Sequence, residues 1–348
     1  MPTRTLTATL TAPAAVFAAA LTVAFSTLFL ASCKTPDAAP ATPQTAWLFT
    51  HFTGDSKSGL QLAWSNDGYK WEKLGNGPGY LKPNVGEAKL MRDPCVALGP
   101  DGAWHMVWTT AWDGQTIGHA TTRDFLHWSE QEAIPVMAGI DGTRNCWAPE
   151  IIYDDEAKNF LIYWSSTVEG RFAETAGTSE DKYNHRIYCT TTTDFKTFAP
   201  ARLLYDPGFS VIDATLIKFD NRWRLIVKDE TVKPPKKHLR IATGEHATGP
   251  FTMPPAPPFT RDWVEGPAAF IGREGEVLVY FDVYRDKHYG AMRSHDMQTW
   301  EDVTGGISLP AGMRHGTIIE VPKPVIDKLR SAELMMSRPP PNVPSMLP

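Results

Sequence analysis

The sequence predicts an all-β fold, a five-bladed β-propeller closed by pairing of its C-terminal strand with the N-terminal blade. Most of that prediction comes from a repeated phrase, an Asp followed by aromatic residues. Its Asp stands at positions 67, 124, 194 and 296, and a degraded copy lies near 245. Self-similarity at intervals of about fifty residues is typical of an array of similar units. Short apolar runs precede each phrase, so each unit is expected to hold about four antiparallel strands, as a propeller blade does.

Residues 1–32 are predicted to be an export signal that lies outside the fold. Arg4 is the one charge before Cys33, an apolar stretch covers 14–31, and Leu-Ala-Ser stands directly before Cys33. This pattern resembles a bacterial lipoprotein signal; a plain secretory signal or an uncleaved membrane helix are the alternatives. We expect a protein exported to the bacterial cell envelope, periplasmic or at the cell surface. It would touch the membrane only through a lipid on Cys33, with a flexible tether over 33–45.

The propeller is predicted to span 46–322, with a C-terminal tail over 323–348. Its strands are runs of five to seven residues rich in β-branched and aromatic side chains, bounded by Gly, Asp or Asn. Clear examples are 103–109, 160–164, 223–227 and 277–281. The Asp of each repeated phrase is expected to accept backbone N–H bonds in a turn. The one helical pattern of useful length covers 324–336.

The first unit lacks the strand that precedes its counterparts in the other units, and a spare strand of that kind stands at 316–321. We therefore expect the C-terminal strand to supply the innermost strand of the N-terminal blade. That pairing would join both ends of the domain and remove an exposed sheet edge.

Charge and cysteine content exclude several functional classes. With 34 basic and 39 acidic side chains the net charge is −5, so the chain lacks the basic surface that a nucleic-acid partner requires. Three cysteines remain after Cys33, which is not a complete disulfide framework, and their spacing is not that of a zinc site.

The residues that open each unit carry the predicted chemistry. The first strand of each propeller blade lines the central channel, so these openings are expected to converge on the axis. They read Arg92-Asp93-Pro94, Trp147-Ala148-Pro149-Glu150, Val211-Ile212-Asp213, Glu265-Gly266-Pro267 and Arg314-His315-Gly316. Carboxylates gathered in a low-dielectric funnel push their pKa values apart. One can then activate water while another, still protonated, donates to a leaving oxygen, as hydrolysis of a glycosidic bond requires.

In this order the five motifs resemble those of glycoside hydrolase family 43, five-bladed propellers that hydrolyse arabinofuranosides, xylosides and related sugars with inversion. The resemblance covers nearly all of 46–321. It implies that Asp93 is the general base, Glu265 the general acid and Asp213 the modulator of the acid's pKa. His315 matches a channel histidine that touches water or calcium, so no cofactor is required and a structural calcium reached through water is allowed. Taken singly, each acid could instead be structural, since such residues also open turns and cap strands.

Substrate-binding residues are predicted among aromatic and charged side chains near the openings. Aromatic faces stack on sugar rings, and charged groups hydrogen-bond hydroxyls. The candidates are His51, Phe52, Trp112, Trp147, Glu150, Trp164, Lys228, Glu230, Arg314 and His315.

The expected function is an inverting exo-glycoside hydrolase acting on furanosides or pentosides of plant or microbial polysaccharide, with α-L-arabinofuranosidase as the leading activity. Inversion requires the base and acid carboxyls to lie about 6.5–9.5 Å apart; about 5 Å would indicate a nucleophile and retention. One alternative is a β-galactofuranosidase or galactan-cleaving enzyme on the same scaffold. Another is a non-catalytic carbohydrate-binding propeller. The partner in every case is an oligo- or polysaccharide.

Overall fold

Five antiparallel sheets form the five blades of a β-propeller in the computed structural model, which describes residues 44–75 and 79–336. The all-β, five-bladed prediction is confirmed. The predicted signal, the lipidation site Cys33 and most of the tether lie outside the described residues. Within the described ranges no helix has the length and apolar character needed to cross a membrane.

Each blade is a sheet whose innermost strand faces the axis. Blade 1 contains β1 (Thr45–Phe52), β2 (Gln61–Ser65), β3 (Glu72–Leu74) and the C-terminal strand β19 (Arg314–Pro322). Blade 2 contains β4 (Arg92–Leu98), β5 (Trp104–Thr109), β6 (Ile117–Thr122) and β7 (Glu132–Ile134). Blade 3 contains β8 (Trp147–Asp154), β9 (Asn159–Thr167), β10 (His185–Thr192) and β11 (Arg202–Tyr205).

Blade 4 has three strands where the other blades have four. It contains β12 (Val211–Phe219), β13 (Arg222–Asp229) and β14 (Leu239–Gly244). Blade 5 contains β15 (Glu265–Ile271), β16 (Val277–Val283), β17 (His288–Ser294) and β18 (Glu301–Asp302). The innermost strands of blades 1 to 5 are β19, β4, β8, β12 and β15. Helix α1 (Lys323–Met336) follows β19 and confirms the helical pattern read at 324–336.

The C-terminal strand pairs with the N-terminal blade, as expected from the spare strand. β19 runs antiparallel to β1 from Thr45 opposite Pro322 to Phe52 opposite Arg314, so blade 1 is assembled from both ends of the domain. Helix α1 extends this contact, because Ile326 and Leu329 are fully buried in the apolar cluster between blades 1 and 2. The first part of the predicted tail is therefore packed against the propeller.

The repeated phrase forms a tight turn at the end of the third strand in four blades. In each turn the Asp carboxylate accepts two backbone N–H bonds, for example from Lys196 and Thr197 to Asp194, both 2.9 Å. Asp67, Asp124 and Asp296 make the same pair of bonds. The expected turn chemistry is thus confirmed. The degraded copy belongs to blade 4, the blade without a fourth strand.

Candidate active site

A β-bulge near the start of every innermost strand shapes the mouth of the channel. In four blades the pairing register shifts around a residue with positive φ: Asp93 at 53°, Ala148 at 43°, Asp213 at 51° and Gly266 at 60°. In blade 1 the register shift leaves His315 unpaired between Arg314 and Gly316. Non-glycine residues adopt this backbone region at a cost, so the bulges at Asp93, Ala148 and Asp213 indicate a position that the fold maintains.

Contacts across the blades bring these bulge residues together. The Asp93 carboxylate of blade 2 lies 3.4 Å from His315 Nδ1 of blade 1. It also accepts a 2.9 Å hydrogen bond from the Thr109 hydroxyl, which in turn accepts one from the Ala148 N–H of blade 3. The Asp213 carboxylate of blade 4 accepts a 3.0 Å hydrogen bond from the Gly266 N–H of blade 5.

Glu265 precedes its bulge and lies between two cations. Its Oε2 is 2.8 Å from Lys228 Nζ, and its Oε1 is 3.1 Å from Arg314 Nη2. Arg314 also pairs with Asp282, and Lys228 with Glu230 at 2.7 Å. The Glu265 side chain keeps 23% of its surface exposed, so it is partnered but open to the channel.

The three carboxyls have different electrostatic environments. Burial favours the neutral form of Asp93, but the hydrogen bond from His315 and the charge of Arg92 outweigh it and lower the Asp93 pKa. Burial raises the pKa of Asp213 to about 6, and the negative charges of Glu265 and Asp93 add to that rise. Burial would also raise the pKa of Glu265, but Lys228 and Arg314 outweigh it and lower the Glu265 pKa.

This pattern differs in one respect from the simple expectation of one ionised and one protonated carboxyl. Of the three carboxyls, Asp213 is the one with a raised pKa, while the pKa of Glu265, the expected acid, is lowered. The cause is the pairing of Glu265 with Lys228 and Arg314. Lys228 comes from the second strand of the neighbouring blade, and its contact with Glu265 cannot be seen in a motif of three residues.

His315 acts as a buried cation beside Asp93. Burial alone would lower its pKa, but the hydrogen bond to Asp93 and the charge of Asp213 raise the His315 pKa to about 9. A protonated imidazole donates from both nitrogens and has no lone pair for a metal. In the part of the chain that the structure describes, no group of three or more His, Cys, Asp or Glu side chains could hold a metal ion. The calcium at His315 stays a prediction.

Two of the predicted binding aromatics lie at the channel mouth. The Trp112 ring is 52% exposed, and the Arg92 guanidinium lies 4.4 Å from its centroid. Trp147 meets Trp112 edge-on at 5.6 Å and donates its indole N–H to the Trp112 carbonyl at 2.7 Å. Phe52, itself buried, lies under the same guanidinium at 4.7 Å. Arg92, which was not among the predicted binding residues, thus joins the aromatic groups at the mouth.

Other predicted binding residues are buried and already partnered. Glu150 accepts a 2.6 Å hydrogen bond from the Tyr163 hydroxyl, and burial raises the Glu150 pKa to about 7. His51 contacts the Phe52 carbonyl, and burial lowers the His51 pKa to about 4. Glu230 bridges two ammonium groups, those of Lys228 at 2.7 Å and Lys237 at 2.6 Å.

Trp164 is in the wrong place for stacking on a sugar. It has no exposed surface, donates its N–H to the Ser166 hydroxyl and packs in the apolar cluster between blades 2 and 3. Neighbouring side chains of β9 point to opposite faces of the blade, and both faces are buried because β9 packs between two other blades. We therefore leave Trp164 out of the proposed site.

The functional residues that sequence reasoning missed are the partners of the carboxyls. Thr109 orients Asp93, Asp282 pairs with Arg314, and Lys237 with Glu230. Thr109 and Asp282 stand at or near the ends of second strands, opposite the bulges. One sequence signal could have identified Thr109 and Asp282: each is a polar residue at or near the end of an otherwise apolar run. Such a run predicts a strand, and the end of that strand reaches the channel mouth.

Comparison with known proteins agrees with this geometry. Residues 42–327 match the model of a protein family that is described as a probable glycosyl hydrolase domain. That family is related to glycoside hydrolase family 43. An α-L-arabinofuranosidase of Bifidobacterium longum subsp. longum is 23% identical over 213 residues. That match covers 54% of this chain and 20% of the relative, so the chain spans only a fifth of the relative's length.

Solved structures show the same fold. A thermostable family-43 glycoside hydrolase superposes with a TM-score of 0.56 at 14% identity, over 78% of this chain and 93% of its own. An exo-β-1,3-galactanase of Phanerochaete chrysosporium gives a TM-score of 0.54 at 13% identity, over 75% of this chain and 60% of its own. At such identities the likeness concerns the fold alone.

Proposed function

Since the chain belongs to this family 43-related glycosyl hydrolase family and is a glycoside hydrolase, we propose that it releases terminal furanosides or pentosides with inversion. An α-L-arabinofuranoside is the leading substrate. One observation carries the proposal: three blades bring Asp93, Asp213 and Glu265 to one channel mouth, each in a different electrostatic environment. The relative called an arabinofuranosidase supports the choice of sugar.

Asp93 is suited to act as the general base. Its lowered pKa keeps it ionised, and Thr109 and His315 hold its carboxylate on two sides. An ionised, oriented carboxylate can take a proton from a water molecule that attacks the anomeric carbon. His315, with its pKa raised to about 9, contacts the Asp93 carboxylate and is a positioning residue for Asp93.

Glu265 is suited to protonate the leaving oxygen. It is the most exposed of the three carboxyls, and Asp213 is linked to it through the Gly266 N–H. The negative charge of Asp213 favours a protonated Glu265, while Lys228 and Arg314 oppose it. Because the base must be ionised and the acid protonated, and both pKa values are lowered, the activity maximum is expected on the acidic side of neutral pH.

Closure of the ring and location of the enzyme are part of the proposal. The C-terminal strand β19 would close the propeller by its pairing with β1, and it delivers Arg314 and His315 to the site. The lipoprotein pattern at Cys33 supports export and lipid anchoring at the cell envelope, where polysaccharide is accessible.

Two measurements test the proposed function. Rates of cleavage of chromogenic substrates identify the sugar, and proton NMR of the reaction identifies the anomer that is released first. We expect purified protein to cleave an aryl α-L-arabinofuranoside faster than the corresponding β-D-galactofuranoside or β-D-xyloside. The β-anomer of arabinose should appear first, because inversion reverses the configuration. Early release of the α-anomer would contradict inversion, and faster cleavage of the galactofuranoside would select the alternative substrate. Binding of oligosaccharides without cleavage of any substrate would favour a non-catalytic propeller.

Lys228→Met is expected to move the alkaline limb of the pH profile of kcat/KM to higher pH. The Lys228 ammonium holds the Glu265 pKa down, so its removal raises that pKa and keeps the acid protonated at higher pH. The matched control is Lys237→Met, which removes a neighbouring buried ammonium that contacts Glu230 and Glu180 instead. If both variants fold and leave the limb in place, Glu265 is not the titrating acid.

A further inference from the structure

A second cleft lies on the outer side of blade 4, away from the carboxyl site. Its volume is about 1030 Å³, at the upper end of the range for ligand cavities. It runs between β13 and β14 of blade 4 and the 296–300 turn of blade 5, and none of the three channel carboxyls lines it. The cleft therefore has room for several sugar units.

The degraded repeat explains why the cleft is there. In the other blades a fourth strand pairs with the outer edge of the third. In blade 4 the edge strand β14 is joined on that side by one isolated bridge, between Thr243 and Thr252, and the proline-rich loop 254–258 forms no strand. The missing strand leaves a trough beside β14.

Three arginines line this trough. Arg222 and Arg224 stand two residues apart on β13, and Arg240 on β14 donates to the Ala256 carbonyl at 3.3 Å. Within the described ranges neither Arg222 nor Arg224 has an acidic partner within 4.0 Å, and the Nη1 of Arg224 is buried without any hydrogen-bond partner. Arg222 is exposed to solvent, whereas Arg224 is partly buried. An unpaired, partly buried guanidinium group is costly, so Arg224 indicates a missing anion.

The opposite wall of the cleft is apolar. The rings of Phe259 and Trp300 lie with centroids 4.4 Å apart and their planes tilted by 33°, next to the prolines of the loop. Two acids also line the cleft. Asp296 is committed to its turn through the N–H groups of Gln298 and Thr299, and Glu245 is exposed at the rim. Arg224 thus remains a partly buried charge of the cleft, with one nitrogen that has no hydrogen-bond partner.

From these observations we propose that the cleft is a second carbohydrate-binding site, for oligosaccharides that carry uronic acids. Guanidinium groups bind carboxylates through paired, charge-assisted hydrogen bonds. Aromatic and proline faces pack against sugar rings. A site of this kind would hold an acidic polysaccharide on the enzyme while its neutral side chains are presented to the channel. It does not depend on the identity of the sugar cleaved there.

Calorimetric titration of the full chain with oligogalacturonate tests the site. We expect binding that weakens as salt is added, and a loss of at least about tenfold in affinity in the R222A/R224A double variant. The matched control is R123A/R202A, which removes the same charge from exposed positions on blades 2 and 3 and should change affinity less than about twofold. Hydrolysis of a small aryl furanoside should be unchanged in both double variants.

Three outcomes would overturn the proposal. The first is no binding of oligogalacturonate, and the second is an equal loss of affinity in both double variants. The third is binding of a neutral arabino-oligosaccharide that R222A/R224A weakens as much as it weakens binding of oligogalacturonate. Binding to vesicles of acidic phospholipid is measured with the same variants. If the protein binds these vesicles through Arg222 and Arg224 and does not bind oligogalacturonate, the cleft is a membrane contact. Since none of these readouts needs hydrolysis, failure of the proposed enzymatic function would be seen separately.

Discussion

Asp93→Asn is expected to lower kcat by about 10²- to 10⁴-fold, the usual contribution of a general base. Asparagine has the shape of aspartate and keeps an oxygen for the Thr109 hydroxyl, but it cannot accept a proton from water. The loss should be similar for substrates with good and poor leaving groups, because the base acts on the water and not on the departing oxygen. Steady-state kinetics on a series of aryl furanosides would measure it.

The matched control is Asp101→Asn, which removes an exposed carboxylate in the β4–β5 turn of the same blade and should leave kcat unchanged. A thermal melt should show that both variants fold. The Asp93 substitution does carry some cost in stability, since it leaves the buried His315 cation without its ionised partner. A folded Asp93→Asn enzyme with activity near the wild-type value would remove Asp93 from the role of base.

Glu265→Gln is expected to reduce kcat by a comparable factor on substrates with poor leaving groups, about 10²- to 10⁴-fold. On a dinitrophenyl glycoside the reduction should be much smaller, because this leaving group departs without a proton. The dependence of the rate on leaving-group pKa should therefore become steeper in the variant than in the wild type. The alkaline limb of the pH profile should also disappear.

Glu230→Gln is the matched control for this substitution. Glu230 and Glu265 both contact the Lys228 ammonium, at 2.7 and 2.8 Å, but only Glu265 lies at the start of an innermost strand. The control should not change the leaving-group dependence. If Glu265→Gln lowered all rates equally, the acid would have to be sought elsewhere, and Asp213, with its pKa raised to about 6, would be the next residue to test.

Local sequence patterns predicted most of the fold because blades 2 to 5 are each built from strands that are consecutive in the sequence. The Asp of each repeated phrase accepts hydrogen bonds from backbone N–H groups two and three residues further on, so the turn that it forms does not depend on the rest of the chain. The same is true of short apolar runs that form hairpins, and of the pattern that became α1. The pairing of β19 with β1, although distant in sequence, was predicted because one unit lacked a strand and the end of the chain had a spare one.

The environment of each carboxyl could not be predicted in the same way. Lys228 lies 37 residues from Glu265, and Arg314 lies 49 residues from it. Whether a cation or an apolar side chain faces Glu265 decides its protonation, and that choice depends on how adjacent blades are rotated against each other. Trp164 illustrates the same point, since the packing of blade 2 against β9 places it in the core.

By itself, then, the sequence determined how many blades form, where each begins and which acids stand at their openings, because spacing along a chain is preserved when strands pair with their neighbours. The tertiary structure alone decided which cations meet those acids and that a cleft opens where the degraded repeat loses its outer strand. Electrostatic energy depends on distances through space, and these are set only when all five blades have packed around one axis.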